Sequence, residues 1–146
     1  MRYFEDFVAG ETRDLGSTVV DHDEMVAFAE RFDPQPFHTD PEAAQDSTFG
    51  GLIASGWFTG SLFMRLYVDT ILKDSASQGS PGVEEMRWRR PVRAGDTLHG
   101  WMHITDVRGS QTNPGRGTIF TESELRNQDG EVVMTVRARG MFGRRP

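Results

Sequence analysis

The sequence contains no cysteine among its 146 residues. The chain therefore cannot form disulfides, use a thiol nucleophile or bind zinc through thiolates. It also lacks a long apolar run: the most apolar uncharged stretch, residues 49–64, is shorter than the roughly 20 apolar residues of a transmembrane helix and is diluted by Gly, Ser and Thr. We therefore expect no membrane segment.

Positive charge is also scarce, with 16 Lys and Arg residues against 22 Asp and Glu residues and a net charge of −6. Nucleic-acid-binding proteins normally present a basic face, so we expect no nucleic-acid partner, although phosphate groups can still bind locally. The amino terminus, Met-Arg-Tyr-Phe-Glu-Asp-Phe, carries acids where a signal peptide has an apolar core. We therefore expect a cytoplasmic protein.

The composition is that of a folded protein. Hydrophobic residues other than glycine make up 36% of the chain, and the 16 glycines bring the apolar total to the usual globular level. The length fits one domain, residues 1–146, with a single hydrophobic core.

Five segments have the composition of β-strands: residues 12–20, 83–88, 97–107, 117–125 and 132–141. Turn signals rich in Gly, Asn, Asp and Pro separate the last four. A long apolar helix, from Trp57 to about Leu72, precedes these four strands, and its apolar residues cover most of its circumference. The pattern predicts an α+β fold in which a curled antiparallel sheet wraps around a helix buried on nearly all sides.

The stretch from Phe32 to Asp40, Phe-Asp-Pro-Gln-Pro-Phe-His-Thr-Asp, combines proton-transfer groups with a stiff backbone and apolar neighbours. Apolar residues at helical spacing lead into it after an N-terminal capping signal at Asp21, and the prolines predict that this helix ends at about Phe32. Asp33 and His38 then lie on a rigid loop, which must bend for the two side chains to meet. The stretch also fits a proline-rich turn with an incidental histidine.

Gly56 opens the long helix and has two interpretations. The first backbone N–H groups of a helix lack partners inside it, so they can bind a developing negative charge. Alternatively, the glycine only allows the helix to pack closely against another element.

Three motifs together carry a family resemblance: Phe-Asp-Pro-Gln-Pro-Phe-His-Thr-Asp at 32–40, Phe-Gly-Gly-Leu-Ile-Ala-Ser-Gly at 49–56 and Arg-Arg-Pro-Val-Arg-Ala-Gly-Asp at 89–96. In these motifs the chain resembles the MaoC-like (R)-specific enoyl-CoA hydratase family, which has the hot dog fold. The resemblance extends over nearly the whole chain.

The resemblance implies that Asp33 and His38 are the catalytic pair and that the Gly56 N–H binds the thioester oxygen. Two departures lie inside the motif, since Phe32 stands where glycine is usual and Gln35 replaces the common Asn. Met64 falls near a position where the family often has a hydroxyl. Neither departure inside the motif removes a catalytic group, whereas Met64 offers no hydroxyl for the secondary contact that the family often has.

Further expectations follow from the resemblance. Hydratases of this type need no metal and no cofactor, because coenzyme A enters as part of the substrate, and the subunits pair as homodimers, or as multiples of dimers, around an acyl-CoA tunnel. His99 and His103 lie four residues apart in a predicted strand, too far apart to share an ion without other ligands, so they are interpreted as surface or packing groups and not as metal ligands. Five additional residues are expected at the substrate: Gln35, Phe37, Gly51, Ser55 and Arg90.

Two other functions are compatible with the same sequence. An acyl-CoA thioesterase on this fold would direct the activated water to the thioester carbonyl and not to C3 of the acyl chain. A non-catalytic acyl-CoA-binding subunit would use Asp33 and His38 only to close an interface.

Overall fold

The computed structural model describes residues 1–146 and contains five strands, four α-helices and two short 3-10 turns. In chain order these are η1 (Phe4–Asp6), β1 (Thr12–Val19), α1 (His22–Phe32), α2 (Pro36–Thr39), α3 (Pro41–Gln45), α4 (Gly56–Thr70), η2 (Leu72–Asp74), β2 (Val83–Trp88), β3 (Thr97–Gly109), β4 (Arg116–Arg126) and β5 (Val132–Gly143). All five predicted strands are present, with boundaries that differ by at most two residues.

The strands form one antiparallel sheet in the order β1-β3-β4-β5-β2. Alternate residues of β3 are buried, which identifies the face that packs on the core: Leu98, Gly100, Met102 and Ile104. The core joins this face to α4, whose Phe58, Leu62, Phe63 and Leu66 belong to the same cluster. The α+β prediction of a curled sheet wrapped around a central helix is therefore confirmed.

The prediction that α4 is buried on nearly all sides is wrong for one face. Trp57 is 62% exposed and Met64 is 45% exposed, while Phe58 and Phe63 lie in the core. The exposed face includes the polar residues Ser61 and Arg65 at four-residue spacing, and it is wider than that stripe because Trp57 and Met64 extend it. The helix also ends at Thr70, followed by η2 where the apolar pattern predicted a further helical turn. With 15 residues α4 is the longest helix, and none is long and apolar enough to cross a membrane.

Helix α1 begins and ends where its capping residues predict. The Asp21 carboxylate accepts a hydrogen bond from the Glu24 N–H at 2.9 Å, and the helix ends at Phe32. Asp33 is the C-terminal cap, with its N–H donating to the Ala29 carbonyl at 2.8 Å. Pro34 follows and cannot continue the hydrogen-bonding pattern. The helix end therefore fixes the backbone of Asp33.

The predicted rigid loop between Asp33 and Asp40 is instead a helical turn, α2. Pro36 occupies its first position, where the missing N–H costs nothing and the fixed φ suits a helix. The turn supplies the bend that the sequence required, and it brings His38 back towards Asp33. Asp40 then caps α3, accepting from the Glu42 N–H at 3.0 Å.

Candidate active site

Asp33 and His38 lie side by side. The Nε2 atom of His38 is 3.3 Å from Oδ2 of Asp33, and their side chains are 6% and 19% exposed. Asp33 comes from the end of α1 and His38 from α2, so the turn at Pro36 is what allows the contact. A carboxylate and an imidazole this close can polarise one water molecule or share a proton.

The tautomer of His38 follows from its second nitrogen. Nδ1 is 2.8 Å from the backbone carbonyl of Ile53, and a carbonyl oxygen only accepts hydrogen bonds. Nδ1 therefore carries a proton, and in the neutral ring Nε2 presents its lone pair towards Asp33. The ring is 5% exposed and packs edge-on against Phe37. This arrangement leaves one basic nitrogen facing the carboxylate.

Two side-chain donors hold the Asp33 carboxylate. Nε2 of Gln35 donates to Oδ1 at 2.7 Å, and the Ser55 hydroxyl donates to Oδ2 at 2.8 Å. The Gln35 hydrogen bond is the largest influence on the Asp33 pKa and lowers it, and the Ser55 bond acts in the same direction. The charge that His38 carries when it is protonated also lowers this pKa, while partial burial opposes these influences. The net effect lowers the pKa, so Asp33 is ionised at neutral pH.

Ser55 joins the Asp33 and His38 pair to the start of α4. It is fully buried, and while its hydroxyl donates to Asp33 its oxygen also accepts from the Trp57 N–H at 3.3 Å as the N-terminal cap. The Gly56 N–H, next to it, has no acceptor in the chain. The first turn of α4 thus places a free backbone donor beside the Asp33 and His38 pair.

A cavity of about 250 Å³ brings these features together. His38 and Gly56 both line it, and Arg89 and Arg90 bring positive charge to its wall. The complete lining is His38, Phe49, Ile53, Ala54, Gly56, Thr59, Trp88, Arg89, Arg90, Pro91 and Val92. The wall formed by residues 88–92 is attached to the catalytic segment by a hydrogen bond from the Ala54 N–H to the Val92 carbonyl, at 2.7 Å. The cavity combines apolar walls with one basic nitrogen, one free N–H and two cations.

The side chain of Trp88 explains why residue 56 is glycine. The indole Nε1 donates to the Gly56 carbonyl at 2.9 Å, and a Cβ atom added to Gly56 would lie 2.3 Å from Cε2 of the indole. The space next to Gly56 is therefore filled by Trp88, and close packing alone accounts for the glycine. The free N–H is a separate observation, because every residue type except proline would provide it.

The five additional residues expected at the substrate take different positions. Gln35 and Ser55 bind Asp33, as described above. Phe37 packs against Phe49, with ring centroids 5.2 Å apart. Arg90 lines the cavity, although it also pairs with a carboxylate oxygen of Glu131 at 2.9 Å, on its exposed side. For all of these residues, contact with substrate stays a prediction.

Gly51 lies outside the cavity lining and in the left-handed half of the backbone map, with φ of 159°. A Cβ atom there would lie 3.2 Å from the Arg93 guanidinium. That guanidinium donates to the carbonyls of Phe49, at 2.5 Å, and Leu52, at 3.4 Å. Arg93 thus holds the loop that leads to α4, which gives Gly51 a structural reason to be glycine.

Eight residues of the cavity lining are not among the predicted site residues, and three of them carry a hydrogen-bonding or charged side chain: Thr59, Trp88 and Arg89. Trp88 carried no signal, because nothing in the sequence places the end of β2 over the start of α4. Thr59 lies three residues after Gly56, a spacing that puts both on one helix face and could have identified it. Arg89 belongs to the arginine cluster at 87–93 and has no carboxylate partner, its Nε atom donating only to the Thr135 hydroxyl at 3.3 Å.

A larger depression of about 500 Å³ lies on the outer face of the sheet and contains neither Asp33 nor His38. It is lined mainly by charged side chains, and His103 is among them. The structure contains no group of three or more His, Asp or Glu side chains placed to hold a metal ion. His99 instead bonds Asp14 at 2.6 Å, and His103 bonds the Thr12 hydroxyl at 2.9 Å. Of these two, the smaller cavity is the one lined by a member of the Asp33 and His38 pair.

Comparison with known proteins gives consistent results. Residues 6–124 match the family described as "MaoC like domain". The crystal structure of the MaoC-like dehydratase from Rhodospirillum rubrum superposes with a TM-score of 0.92 and 40% sequence identity, covering 100% of this chain and 99% of that chain. A protein named (R)-specific enoyl-CoA hydratase, also from Rhodospirillum rubrum, is 26% identical over 96% of this chain and 95% of its own. The uncharacterized protein YdeM of Bacillus subtilis is 25% identical over 91% and 97%. The hot dog fold expected from the sequence is confirmed.

Proposed function

Given that the chain belongs to the MaoC-like family, we propose that it is a hydro-lyase which adds water to a 2-enoyl-CoA, or removes it from the corresponding (R)-3-hydroxyacyl-CoA. The observation that carries the proposal is the distance of 3.3 Å between His38 Nε2 and Asp33 Oδ2. Two proton acceptors stand next to each other beside a cavity that also contains a free backbone donor.

The first step uses both acceptors. A water molecule donates one hydrogen bond to His38 Nε2 and the other to the Asp33 carboxylate, and its oxygen attacks C3 of the enoyl group. The water proton passes to Nε2, and the electron pair of the C2–C3 double bond moves towards the thioester carbonyl. The imidazolium formed lies beside the Asp33 carboxylate, which stabilises its charge.

The second step returns the proton. The imidazolium of His38 donates its Nε2 proton to C2, so the hydroxyl and the hydrogen of one water molecule are both added and the histidine is again neutral. Because a single side chain serves both carbons, the additions take place on the same face of the double bond. The syn geometry agrees with the (R) product implied by the family resemblance.

Between the two steps the thioester oxygen carries negative charge, which needs a donor that is already in place. The Gly56 N–H fits this role because it is unpaired, lies at the start of a 15-residue helix and lines the same cavity as His38. The helix dipole adds to its effect.

The cations and the exposed apolar side chains fit an acyl-CoA substrate and a paired subunit. Arg89 and Arg90 on the cavity wall can meet the phosphates of coenzyme A. Arg90 also forms a salt bridge with Glu131, whereas the Nε atom of Arg89 donates to the neutral hydroxyl of Thr135. Trp57 and Trp88 contact each other edge to face at 5.3 Å and are 62% and 44% exposed. A second copy covering this surface would close one side of the cavity, so we place the homodimer contact there.

The proposal is tested with purified protein and a panel of short, medium, branched and dicarboxylic 2-enoyl-CoAs, with loss of the enoyl absorbance as the signal. We expect Asp33→Asn and His38→Gln each to remove most of the turnover with little change in the thermal melt, because both side chains act on water at the cavity and are not part of the core. His103→Gln, on the outer face of the sheet, is the matched control. Full rates in either site variant would refute the assignment.

The same assay separates hydration from thioester hydrolysis. Hydration leaves the thioester intact, whereas a thioesterase releases the free thiol of coenzyme A. We expect loss of enoyl absorbance without thiol release. Thiol release at the same rate would show that the pair directs water to the carbonyl carbon.

A further inference from the structure

Thr59 is a polar residue in a position that the chemistry described above does not use. It lies one turn into α4, is 1% exposed and lines the cavity that contains His38 and Gly56. The neighbouring positions Phe58, Leu62 and Phe63 are apolar and belong to the core. The presence of a hydroxyl among these apolar side chains requires an explanation.

The hydroxyl of Thr59 has no hydrogen-bond partner in the chain. Ser and Thr hydroxyls in helices commonly bond the carbonyl one turn earlier. Ser61 does so to Trp57 at 2.8 Å and Thr70 does so to Leu66 at 2.6 Å, both within α4. Thr59 makes no such bond, so its hydroxyl remains available.

The hydroxyl also opens into the cavity. No fully enclosed side-chain nitrogen or oxygen in the structure lacks a hydrogen-bond partner. Since the Thr59 oxygen has no partner, it is not fully enclosed, and the small accessible surface of this residue includes its hydroxyl. Because Thr59 lines the cavity, this exposed surface faces the cavity.

The position on the helix brings this hydroxyl close to the free N–H of Gly56. Residues three apart lie on the same face of an α-helix. Helical side chains also lean towards the N-terminus, so the side chain of Thr59 covers the first turn. Ser55 is not available for the same purpose, because its hydroxyl already donates to Asp33.

We propose that the Thr59 hydroxyl is a second hydrogen-bond donor to the thioester oxygen that the Gly56 N–H binds. This inference rests on the proposed function, since it assumes a thioester in the cavity. Two donors on one oxygen stabilise developing negative charge better than a single donor does. The thioester oxygen would also be the hydrogen-bond partner that the buried Thr59 hydroxyl lacks in the protein. A valine of nearly the same shape would fill the space without a polar atom, so packing does not require threonine here.

The test compares Thr59→Val, which removes the hydroxyl and keeps the shape, with Thr59→Ser, which keeps the hydroxyl. Loss of one donor to a charged oxygen typically lowers kcat on the order of a hundredfold. We expect that loss for Thr59→Val, mainly in kcat and less in KM, and near wild-type rates for Thr59→Ser. Thr70→Val is the matched control, because it makes the same change in the same helix at a hydroxyl that bonds its own backbone.

Thermal melts distinguish this role from a structural one. If the buried hydroxyl has no partner in the protein, its removal in Thr59→Val should leave the melting temperature unchanged or raise it. If the hydroxyl has a structural role, Thr59→Val should melt at a lower temperature than the wild type, and Thr59→Ser should melt at the wild-type temperature. If Thr59→Val does not fold, Thr59→Ala against Thr59→Ser carries the comparison. Equal turnover in Thr59→Val and the wild type would overturn the inference and leave the proposed function intact.

Binding of a saturated thioester, butanoyl-CoA, measured by calorimetry, separates the two proposals. If the wild type binds it but hydrates no enoyl-CoA, and Thr59→Val binds it more weakly than Thr59→Ser does, the donor role stands and the proposed function fails. If the wild type neither binds butanoyl-CoA nor turns over any enoyl-CoA, both proposals are overturned.

Discussion

Gly56 should be sensitive to substitution because of Trp88, and this can be measured separately from catalysis. In Gly56→Ala the new Cβ would lie 2.3 Å from Cε2 of the indole, a distance that forces the ring to move. Such overpacking costs about 1–3 kcal/mol. Displacing the indole also breaks its hydrogen bond to the Gly56 carbonyl, which contributes about 0.5–1.5 kcal/mol. Because replacing glycine in a helix also gains up to about 1 kcal/mol, we expect Gly56→Ala to lower the free energy of unfolding by about 0.5–4.5 kcal/mol.

A double-mutant cycle with Trp88→Ala tests this explanation. Without the indole, the substitution at Gly56 has no clash and replaces glycine in a helix, so it should be neutral or stabilising by up to about 1 kcal/mol. Urea denaturation of the wild type, both single variants and the double variant gives the coupling energy. An equal cost of Gly56→Ala in both backgrounds would refute the role given to Trp88.

Turnover of the same four proteins answers the catalytic question. All of them keep the N–H of residue 56, so the backbone donor is present throughout. If the donor role is correct and the glycine is needed only for packing, the double variant should be at least as active as Trp88→Ala. Activity lost only when Ala replaces Gly56, with stability unchanged, would mean that substrate occupies the space beside residue 56.

Two further predictions concern the carboxylate and the assembly. Gln35→Leu removes the main influence that lowers the Asp33 pKa, so this pKa should rise towards its ordinary value. Because the proposed reaction requires the carboxylate, the acid limb of the pH profile of kcat/KM should move to higher pH. The exposed control Gln45→Leu should leave that limb in place. Light scattering at micromolar concentration should show at least a dimer. Trp57→Lys should dissociate it, whereas Val19→Lys, at a position equally exposed at 62%, should not. A fully active wild-type monomer would contradict the homodimer.

The elements that could be predicted from the sequence are those specified by local chemistry. Asp21 caps α1 as expected, and the prolines end that helix at Phe32. Alternating strand patterns and turn residues located the sheet. The pairing of Asp33 with His38 was also expected, although the bend arose from a helical turn that Pro36 begins and not from an extended loop.

The parts that could not be predicted depend on contacts between distant segments. Ser55 bonds Asp33 across 22 positions, and Trp88 covers Gly56 across 32. Neither contact has a local signature, because a buried serine before a helix resembles any N-terminal cap. The exposed face of α4 was missed for a related reason: Trp57 is as apolar as a core residue, and composition does not say whether such a side chain contacts the core or the surface.

The hydrogen bonds that orient the catalytic groups have a consequence for how the protein can diversify. Asp33 is held by Gln35 and Ser55, and His38 by the carbonyl of Ile53, so the hydrogen bonds that orient the pair all come from residues 35–55. The opposite wall of the cavity, residues 88–92, comes from a separate part of the chain. If the proposed function is correct, substitutions at residues 89–92 change which acyl groups fit without replacing any residue that holds Asp33 or His38, so substrate preference can change separately from proton transfer.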